Sequence, residues 1–311
     1  MKRIAFIFPG QGSQAVGMGR DFYENSETAK NIIDEISRET GIDFKNLMFE
    51  NNSQLEQTEF TQPAILLVSA IAEKLLREKI EIKPTYLLGH SLGELSALHS
   101  SGAIDLINAV KLVNNRGKFM AEACENIGAG MMAVLGLSDQ KIDEVCQTGR
   151  ENGLKVWGAN FNSEGQVVIA GIKKDLEILA PKLKEAGAKR ALVLNMSVAS
   201  HCELLNNATE KFKIELEKNI VDNFSAPIIS NVSAREYSSK LEAVDLLTKQ
   251  LVNPVKYSES IIYLADKVDM FIEFGHGSVL KGLNKRIVPN IPTIAIYDIA
   301  SLNSAIAELN N

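Results

Sequence analysis

The chain has 311 residues, of which 45% are hydrophobic and 23% are charged, and its formal net charge is −6. This balance is typical of a folded globular protein and excludes disordered, collagen-like and coiled-coil chains. Acidic residues outnumber basic ones by 39 to 33, so we expect no general attraction to nucleic acid or to an anionic membrane. The length predicts two domains, or one large domain that carries an insertion.

The cysteine spacing and the lengths of the apolar runs indicate the cellular compartment of the protein. The chain has three cysteines, Cys124, Cys146 and Cys202. They form no CxxC pair, and none has a histidine at zinc-finger spacing. Such a pattern disfavours a disulfide framework and a metal site. The apolar run at 4–8 is too short for a signal peptide, and the run at 63–72 is too short to span a membrane. We therefore expect a soluble protein of a reducing compartment, the cytoplasm.

Short apolar runs alternate with helical patterns along most of the chain. Strands are predicted at 4–8, 86–88, 226–229, 270–272 and 293–296, and helices between them at 64–79, 106–124 and 204–218. Strands that alternate with helices need crossover connections, which build a mainly parallel sheet. The pattern therefore predicts an α/β fold.

One segment breaks this alternation. Within it, strands are predicted at 131–137, 156–161, 166–170 and 190–194, and helices at 139–149 and 174–186. The resulting order, βαββαβ, is that of the ferredoxin-like fold. We predict that residues 128–197 form a small domain inserted into a larger, discontinuous one made of residues 1–127 and 198–311.

A GxSxG motif, Gly89-His90-Ser91-Leu92-Gly93, lies between a predicted strand and a helical pattern. In that context a sharp turn exposes the serine hydroxyl, and the glycines leave room for the turn. The backbone amide of Leu92 would then face an oxyanion that develops on a substrate. We favour a nucleophilic Ser91 over a glycine-rich turn with a capping serine.

The loop after the first strand, residues 10–15, fits G-x-G-x-x-A, a weak form of the dinucleotide fingerprint. The acidic residues at the expected distance, Asp34 and Glu35, lie in a helical pattern and not at the end of a second strand. These positions disfavour a nicotinamide or flavin site. Gln11 in this loop could instead supply a second oxyanion-hole amide.

A serine nucleophile needs a base, and the chain has four histidines. His90 adjoins Ser91, so the two side chains should diverge, and His99 falls within the following helix. His201 lies where the insertion returns to the larger domain, and His276 lies in a Gly-His-Gly loop after a strand. The residue pattern alone leaves these last two histidines about equal.

Arg116 lies on the flank of the apolar face of the helix predicted at 106–124, whereas Lys118 points to solvent. An arginine in such a place usually pairs with a carboxylate, which belongs either to the protein or to a ligand. The pattern alone slightly favours an internal salt bridge.

Six motifs together carry a resemblance to a known family. They are FPGQGSQ at 8–14, GHSLGE at 89–94, RG at 116–117, NFNS at 160–163, SHC at 200–202 and QLVNPV at 250–255. Across essentially its whole length the chain resembles the malonyl-CoA:acyl carrier protein transacylases of fatty-acid synthesis. The resemblance implies an α/β-hydrolase-like larger domain with a ferredoxin-like insertion. It also implies ping-pong transfer of malonyl from malonyl-CoA to the phosphopantetheine thiol of holo acyl carrier protein.

The resemblance implies a catalytic role for five residues. Ser91 would be the acylated nucleophile and His201 its general base, and a backbone carbonyl, that of Gln250, would orient the histidine in place of a carboxylate. The amides of Gln11 and Leu92 would form the oxyanion hole.

Substrate binding is implied at three further positions. Arg116 would bind the malonyl carboxylate, and Asn160 and Asn162 would line the cleft. The resemblance implies no cofactor, because malonyl-CoA and the phosphopantetheinylated carrier protein are both substrates.

The chain departs from the family where GHGS at 275–278 replaces the common Gly-Pro-Gly-Lys, which removes a possible phosphate-binding lysine. Acyl carrier proteins are acidic, so their docking surface should be basic. The candidate basic residues, which could equally be ordinary solvated charges, are Lys189, Arg190, Lys281, Lys285 and Arg286.

Two rival functions use parts of the same sequence. A serine esterase would need Ser91 and a histidine but not Arg116, and it should hydrolyse neutral esters rapidly. A nucleotide-binding oxidoreductase would use the loop at 10–15 and should bind NAD(P).

Overall fold

The computed structural model describes residues 2–310, which form ten strands and thirteen α-helices. The strands are β1 (Ile4–Phe8), β2 (Tyr86–Gly89), β3 (Ala129–Leu135), β4 (Val156–Ser163), β5 (Gln166–Ile172), β6 (Arg190–Val193), β7 (Ile228–Ile229), β8 (Glu236–Tyr237), β9 (Met270–Phe274) and β10 (Thr293–Ile296). The helices are α1 (Arg20–Asn25), α2 (Glu27–Thr40), α3 (Phe44–Phe49), α4 (Thr58–Lys79), α5 (Gly93–Ser101), α6 (Leu106–Ala123), α7 (Asp139–Glu151), α8 (Lys173–Glu185), α9 (Asn206–Asn219), α10 (Lys240–Gln250), α11 (Tyr257–Leu264), α12 (Val279–Ile287) and α13 (Ile299–Leu309).

The larger sheet has the strand order β10-β9-β1-β2-β7-β8, and its pairs are parallel except for β7 with β8. Strand β1 is apolar along its whole length, as expected of a strand that is buried on both faces. Phe6 and Phe8 pack into one hydrophobic cluster, and Ala5 and Ile7 pack into another on the opposite face. The predicted α/β fold with a mainly parallel sheet is confirmed.

The register of the two central strands positions the functional loops. Phe8 at the end of β1 pairs with Gly89 at the end of β2. The loop that contains Gln11 and the turn that contains Ser91 therefore leave the sheet side by side at its carboxyl edge, where ligands bind in open α/β sheets.

The smaller sheet has the order β4-β5-β3-β6, and all of its pairs are antiparallel. With α7 and α8 on one face, it has the predicted βαββαβ order. Its strands lie within the segment predicted as an insertion. The Phe161 amide donates to the Val255 carbonyl (2.9 Å), and the Val255 amide donates to the Ala159 carbonyl (2.8 Å), so β4 is bonded directly to the larger domain.

Helix α4 begins six residues before its predicted start at Ala64 and continues through Pro63. A proline lacks the amide that would bond the carbonyl four residues earlier, here that of Glu59. The Asn114 side chain on α6 donates to this carbonyl at 2.7 Å. A side chain from another helix therefore satisfies the carbonyl that the proline leaves without its helical donor.

The far edge of the larger sheet also differs from the prediction. The strand predicted at 226–229 is reduced to Ile228–Ile229, and the two-residue strand β8, Glu236–Tyr237, was not predicted. Among residues 2–310, none of the helices combines the length and the apolar character that a membrane crossing requires.

Candidate active site

Ser91 occupies a strained turn between β2 and α5, with a φ of 54°. The turn is tight, and its backbone lies directly against the start of α5 and the end of β1. A Cβ at Gly89 would lie 1.7 Å from the backbone carbon of Gly93, and a Cβ at Gly93 would lie 2.0 Å from the carbonyl oxygen of Phe8. A side chain at either position would clash with backbone atoms, so both positions require glycine. The turn places Ser91 at the carboxyl edge of the larger sheet.

The Ser91 hydroxyl lies 2.7 Å from Nε2 of His201, and Nδ1 of His201 lies 2.7 Å from the backbone carbonyl of Gln250. A carbonyl oxygen only accepts, so Nδ1 carries the ring proton and Nε2 accepts from the hydroxyl. Burial, which has the largest effect, and the charge of Arg116 together lower the pKa of His201 to about 3. The imidazole is therefore a neutral base over the physiological range.

The remaining histidines do not reach the hydroxyl. His90 diverges as predicted, with Nε2 2.7 Å from Oδ1 of Asn162, and His99 contacts the carbonyl of Ile104. The half-buried His276 lies outside the cleft in which Ser91 lies. Of the two histidines that the residue pattern left open, the structure brings His201 to the serine.

A cleft of about 720 Å³ lies between the two sheets, above the serine. Seven of the predicted site residues line it, namely Gln11, Ser91, Leu92, Arg116, Asn160, Asn162 and His201. Gln250 is fully buried behind it. Residues 2–310 contain no group of three or more side chains suited to a metal ion.

Two backbone amides are free to receive an oxyanion. Within the described residues, the amides of Gln11 and Leu92 donate to no acceptor, although both residues line the cleft. The Gln11 side chain is fixed by the Thr58 hydroxyl, which donates to its Oε1 at 3.0 Å. An acceptor that enters beside Ser91 can therefore use these amides without displacing a protein partner.

Arg116 is 1% exposed, yet its hydrogen-bond partners are neutral. Nη1 donates to Oε1 of Gln62 at 2.6 Å and Nη2 donates to Oε1 of Gln250 at 3.0 Å, while Nε has no partner. Among residues 2–310 it forms no salt bridge, so the slightly favoured internal salt bridge is wrong. Burial lowers the pKa of Arg116 to about 10, against the opposing effect of Glu94, and the guanidinium stays charged at neutral pH.

Sequence reasoning gave no role to two buried residues behind the turn. Asn231 accepts the Ser91 amide through Oδ1 and donates from Nδ2 to the Gly89 carbonyl, both at 2.7 Å. Glu94, which is 0% exposed, accepts from the Asn231 amide at 3.0 Å. For Glu94 the visible signal was that it is the one acidic side chain in α5, the helix after the motif.

A serine bonded to an oriented neutral histidine, beside two free amides, defines a serine acyl-transfer site. Residues 5–301 match the family model for the acyl transferase domain, and the chain belongs to this family. It is 40% identical, over 99% of its length and 98% of the relative's, to the malonyl CoA-acyl carrier protein transacylase of Bacillus subtilis.

Solved structures agree with this assignment. The malonyl-CoA:acyl carrier protein transacylase from Helicobacter pylori superimposes with a TM-score of 0.97 and 48% identity, covering 100% of this chain and 99% of that one. A malonyl-transacylase in complex with a holo type II PKS acyl-carrier protein has a TM-score of 0.94 and 38% identity, covering 99% and 100%. The resemblance inferred from the six motifs is confirmed.

Proposed function

We propose that this chain transfers malonyl from malonyl-CoA to the phosphopantetheine thiol of holo acyl carrier protein. The observation that carries the proposal is Arg116, a buried cation that has no carboxylate partner within residues 2–310 and lies in the same cleft as the bonded Ser91 and His201. Such a group suits an acyl thioester that ends in a free carboxylate. The names of the similar proteins support the same substrates.

The first half reaction acylates the serine. The Ser91 oxygen attacks the thioester carbonyl while its proton passes to Nε2 of His201, and the Gln250 carbonyl stabilises the imidazolium through Nδ1–H. The amides of Gln11 and Leu92 bind the oxyanion. As it collapses, the C–S bond breaks, and the CoA sulfur leaves with the proton from Nε2.

The second half reaction reverses these roles. The carrier thiol attacks the malonyl-serine ester and gives its proton to Nε2 of His201. The Ser91 oxygen then leaves as the C–O bond breaks and takes that proton back. One site serves both steps in turn, so the kinetics are ping-pong. Both substrates bring their own reactive groups, and the proposal includes no cofactor.

A basic surface beside the cleft suits an acidic carrier protein. Helix α12 lines the cleft with Val279, Leu280 and Leu283, and its basic side chains at Lys281 and Lys285 are exposed. We propose this helix as part of the docking surface, in preference to Lys189 and Arg190 on the edge strand of the smaller sheet. We place the reaction in the cytoplasm, where the three free thiols would remain reduced.

The direct test is the intact mass of the protein after brief exposure to malonyl-CoA, beside acetyl-CoA and a Ser91→Ala variant. We expect a malonyl adduct that needs Ser91 and that disappears on addition of holo carrier protein. Apo carrier protein, which lacks the thiol, is the matched control and should leave the adduct in place. No adduct, together with rapid hydrolysis of a neutral ester, would instead identify an esterase.

A further inference from the structure

The side chain of Gln250 joins the buried arginine to the nucleophile. Its Oε1 accepts from Nη2 of Arg116 at 3.0 Å. Its Nε2 donates to Oε2 of Glu94 at 2.7 Å and to the backbone carbonyl of Ser91 at 3.0 Å. The amide therefore lies between a cation and a carboxyl group, and every part of it is used.

Glu94 and Arg116 together determine which way round this amide lies. Oε2 of Glu94 accepts from Nε2 of Gln250 and from the Asn231 amide, whereas Arg116 can only donate, so Oε1 of Gln250 faces Arg116. The flipped amide would place its donors against the guanidinium and its oxygen against Oε2 of Glu94, which is unfavourable at both ends. The orientation of Gln250 thus depends on the acceptor at position 94 as well as on the donor at position 116.

The same carboxyl oxygen fixes the nucleophile turn. Besides Gln250, Oε2 of Glu94 accepts from the backbone amide of Asn231, whose side chain holds the amide of Ser91 and the carbonyl of Gly89. Ser91 has a left-handed backbone conformation, which persists only where the surroundings hold it. One buried oxygen therefore constrains both Ser91 and, through Gln250, Arg116.

We propose that Glu94 is a positioning residue that aligns Arg116 for the substrate carboxylate and Ser91 for attack, acting through Gln250 and Asn231. Glu94 is 0% exposed and is not among the residues that line the cleft, so it acts through its neighbours and not on the substrate directly. The inference rests on the proposed function, because the alignment of Arg116 matters only for a substrate that carries a carboxylate.

The alternative is that Glu94 only stabilises the fold. A loss of folded protein lowers the rates for malonyl-CoA and acetyl-CoA equally. The ratio of the two kcat/KM values is therefore independent of the folded fraction, whereas misalignment of Arg116 lowers the malonyl rate selectively. This ratio separates a positioning role from a structural one.

The experiment measures that ratio, and the Ser91 acylation rate, in four variants. Glu94→Gln keeps an acceptor oxygen, and Glu94→Leu removes it. Gln250→Met removes the bridging amide but leaves the backbone carbonyl that orients His201. Glu73→Leu is the matched control, since Glu73 is also a buried glutamate but pairs with Arg77 outside the cleft.

We expect the ratio to fall about tenfold or more in Glu94→Leu and in Gln250→Met, because a misplaced charged hydrogen bond costs at least that factor. Glu94→Gln should stay within about threefold of the parent ratio, and Glu73→Leu should leave the ratio unchanged.

The proposal would be overturned by an unchanged ratio in Glu94→Leu or, if that variant does not fold, by an unchanged ratio in Gln250→Met. An equal fall in Glu73→Leu would also overturn it. A parent protein with no malonyl adduct would refute the proposed function itself, which is a different outcome.

Discussion

Replacement of Arg116 by methionine should remove the preference for malonyl-CoA over acetyl-CoA. Methionine fills much of the same volume without a charge, so the packing of α6 against α4 is largely kept. The proposed site gives Arg116 two roles, which are hydrogen bonds to the amides of Gln62 and Gln250 and a charged pair with the substrate carboxylate. Only the second differs between the two substrates.

The magnitude follows from the charge and burial of the group. A hydrogen bond to a charged partner contributes about 1.5–3 kcal/mol, and the fork of a guanidinium makes two with a carboxylate. Some of this energy is offset by desolvation, so we take about 3 kcal/mol, which is roughly a hundredfold in kcat/KM. Acetyl-CoA has no carboxylate that could pair with the guanidinium, so the kcat/KM for acetyl-CoA should change little in Arg116→Met.

The assay is the kcat/KM for transfer to holo carrier protein from each thioester, with Lys118→Met as the matched control. Lys118 lies on the same helix two residues away and is exposed. Arg116→Lys keeps the charge but not the fork, so its ratio should lie between those of the parent and Arg116→Met. A ratio that Arg116→Met leaves within about threefold of the parent would refute the carboxylate-binding role.

Three further predictions concern the turn, the base and the docking helix. Gly93→Ala should destabilise the protein by about 3 kcal/mol or more, seen as a lower Tm, because its Cβ would lie 2.0 Å from the Phe8 carbonyl oxygen; an unchanged Tm would contradict the close approach. In Glu94→Gln, the acylation rate should not fall between about pH 8 and about pH 5, since a His201 with its pKa lowered to about 3 stays an unprotonated base there; a loss centred near pH 6.5 would mean an ordinary histidine. This variant is used because burial raises the pKa of Glu94 to about 7, which lies in the same window. Lys281→Ala with Lys285→Ala should raise KM for carrier protein while leaving the rate of Ser91 acylation by malonyl-CoA unchanged; an unchanged KM would exclude this surface.

Local pattern was sufficient for most of the fold because the strongest signals are local. The apolar run 4–8 reads as a strand buried on both faces, and the structure shows two clusters on those faces. The GxSxG motif predicts a tight turn, and the contacts of Gly89 and Gly93 show why each must lack a side chain. The βαββαβ order likewise follows from periodicity and turn residues alone.

What the pattern missed depends on contacts between distant parts of the chain. The continuation of α4 through Pro63 needs Asn114, and the two-residue strand β8 is too short to have a period. The residue pattern slightly favoured an internal salt bridge for Arg116, but its partners within the protein are amides 54 and 134 residues away in the chain. Periodicity shows which face of a helix is buried, but it does not show which polar groups of other elements contact that face.

Among the described residues no carboxylate accepts from His201, which suits the proposed substrate because that substrate is itself negatively charged. A backbone carbonyl fixes the ring tautomer without adding a negative charge beside the cleft. A carboxylate at that place would repel the substrate carboxylate and compete for Arg116, which is buried and lacks an ion-pair partner among the described residues. Glu94 is instead separated from Arg116 by the amide of Gln250. Charge near the site is thus arranged so that the guanidinium is held in place yet remains available to the substrate.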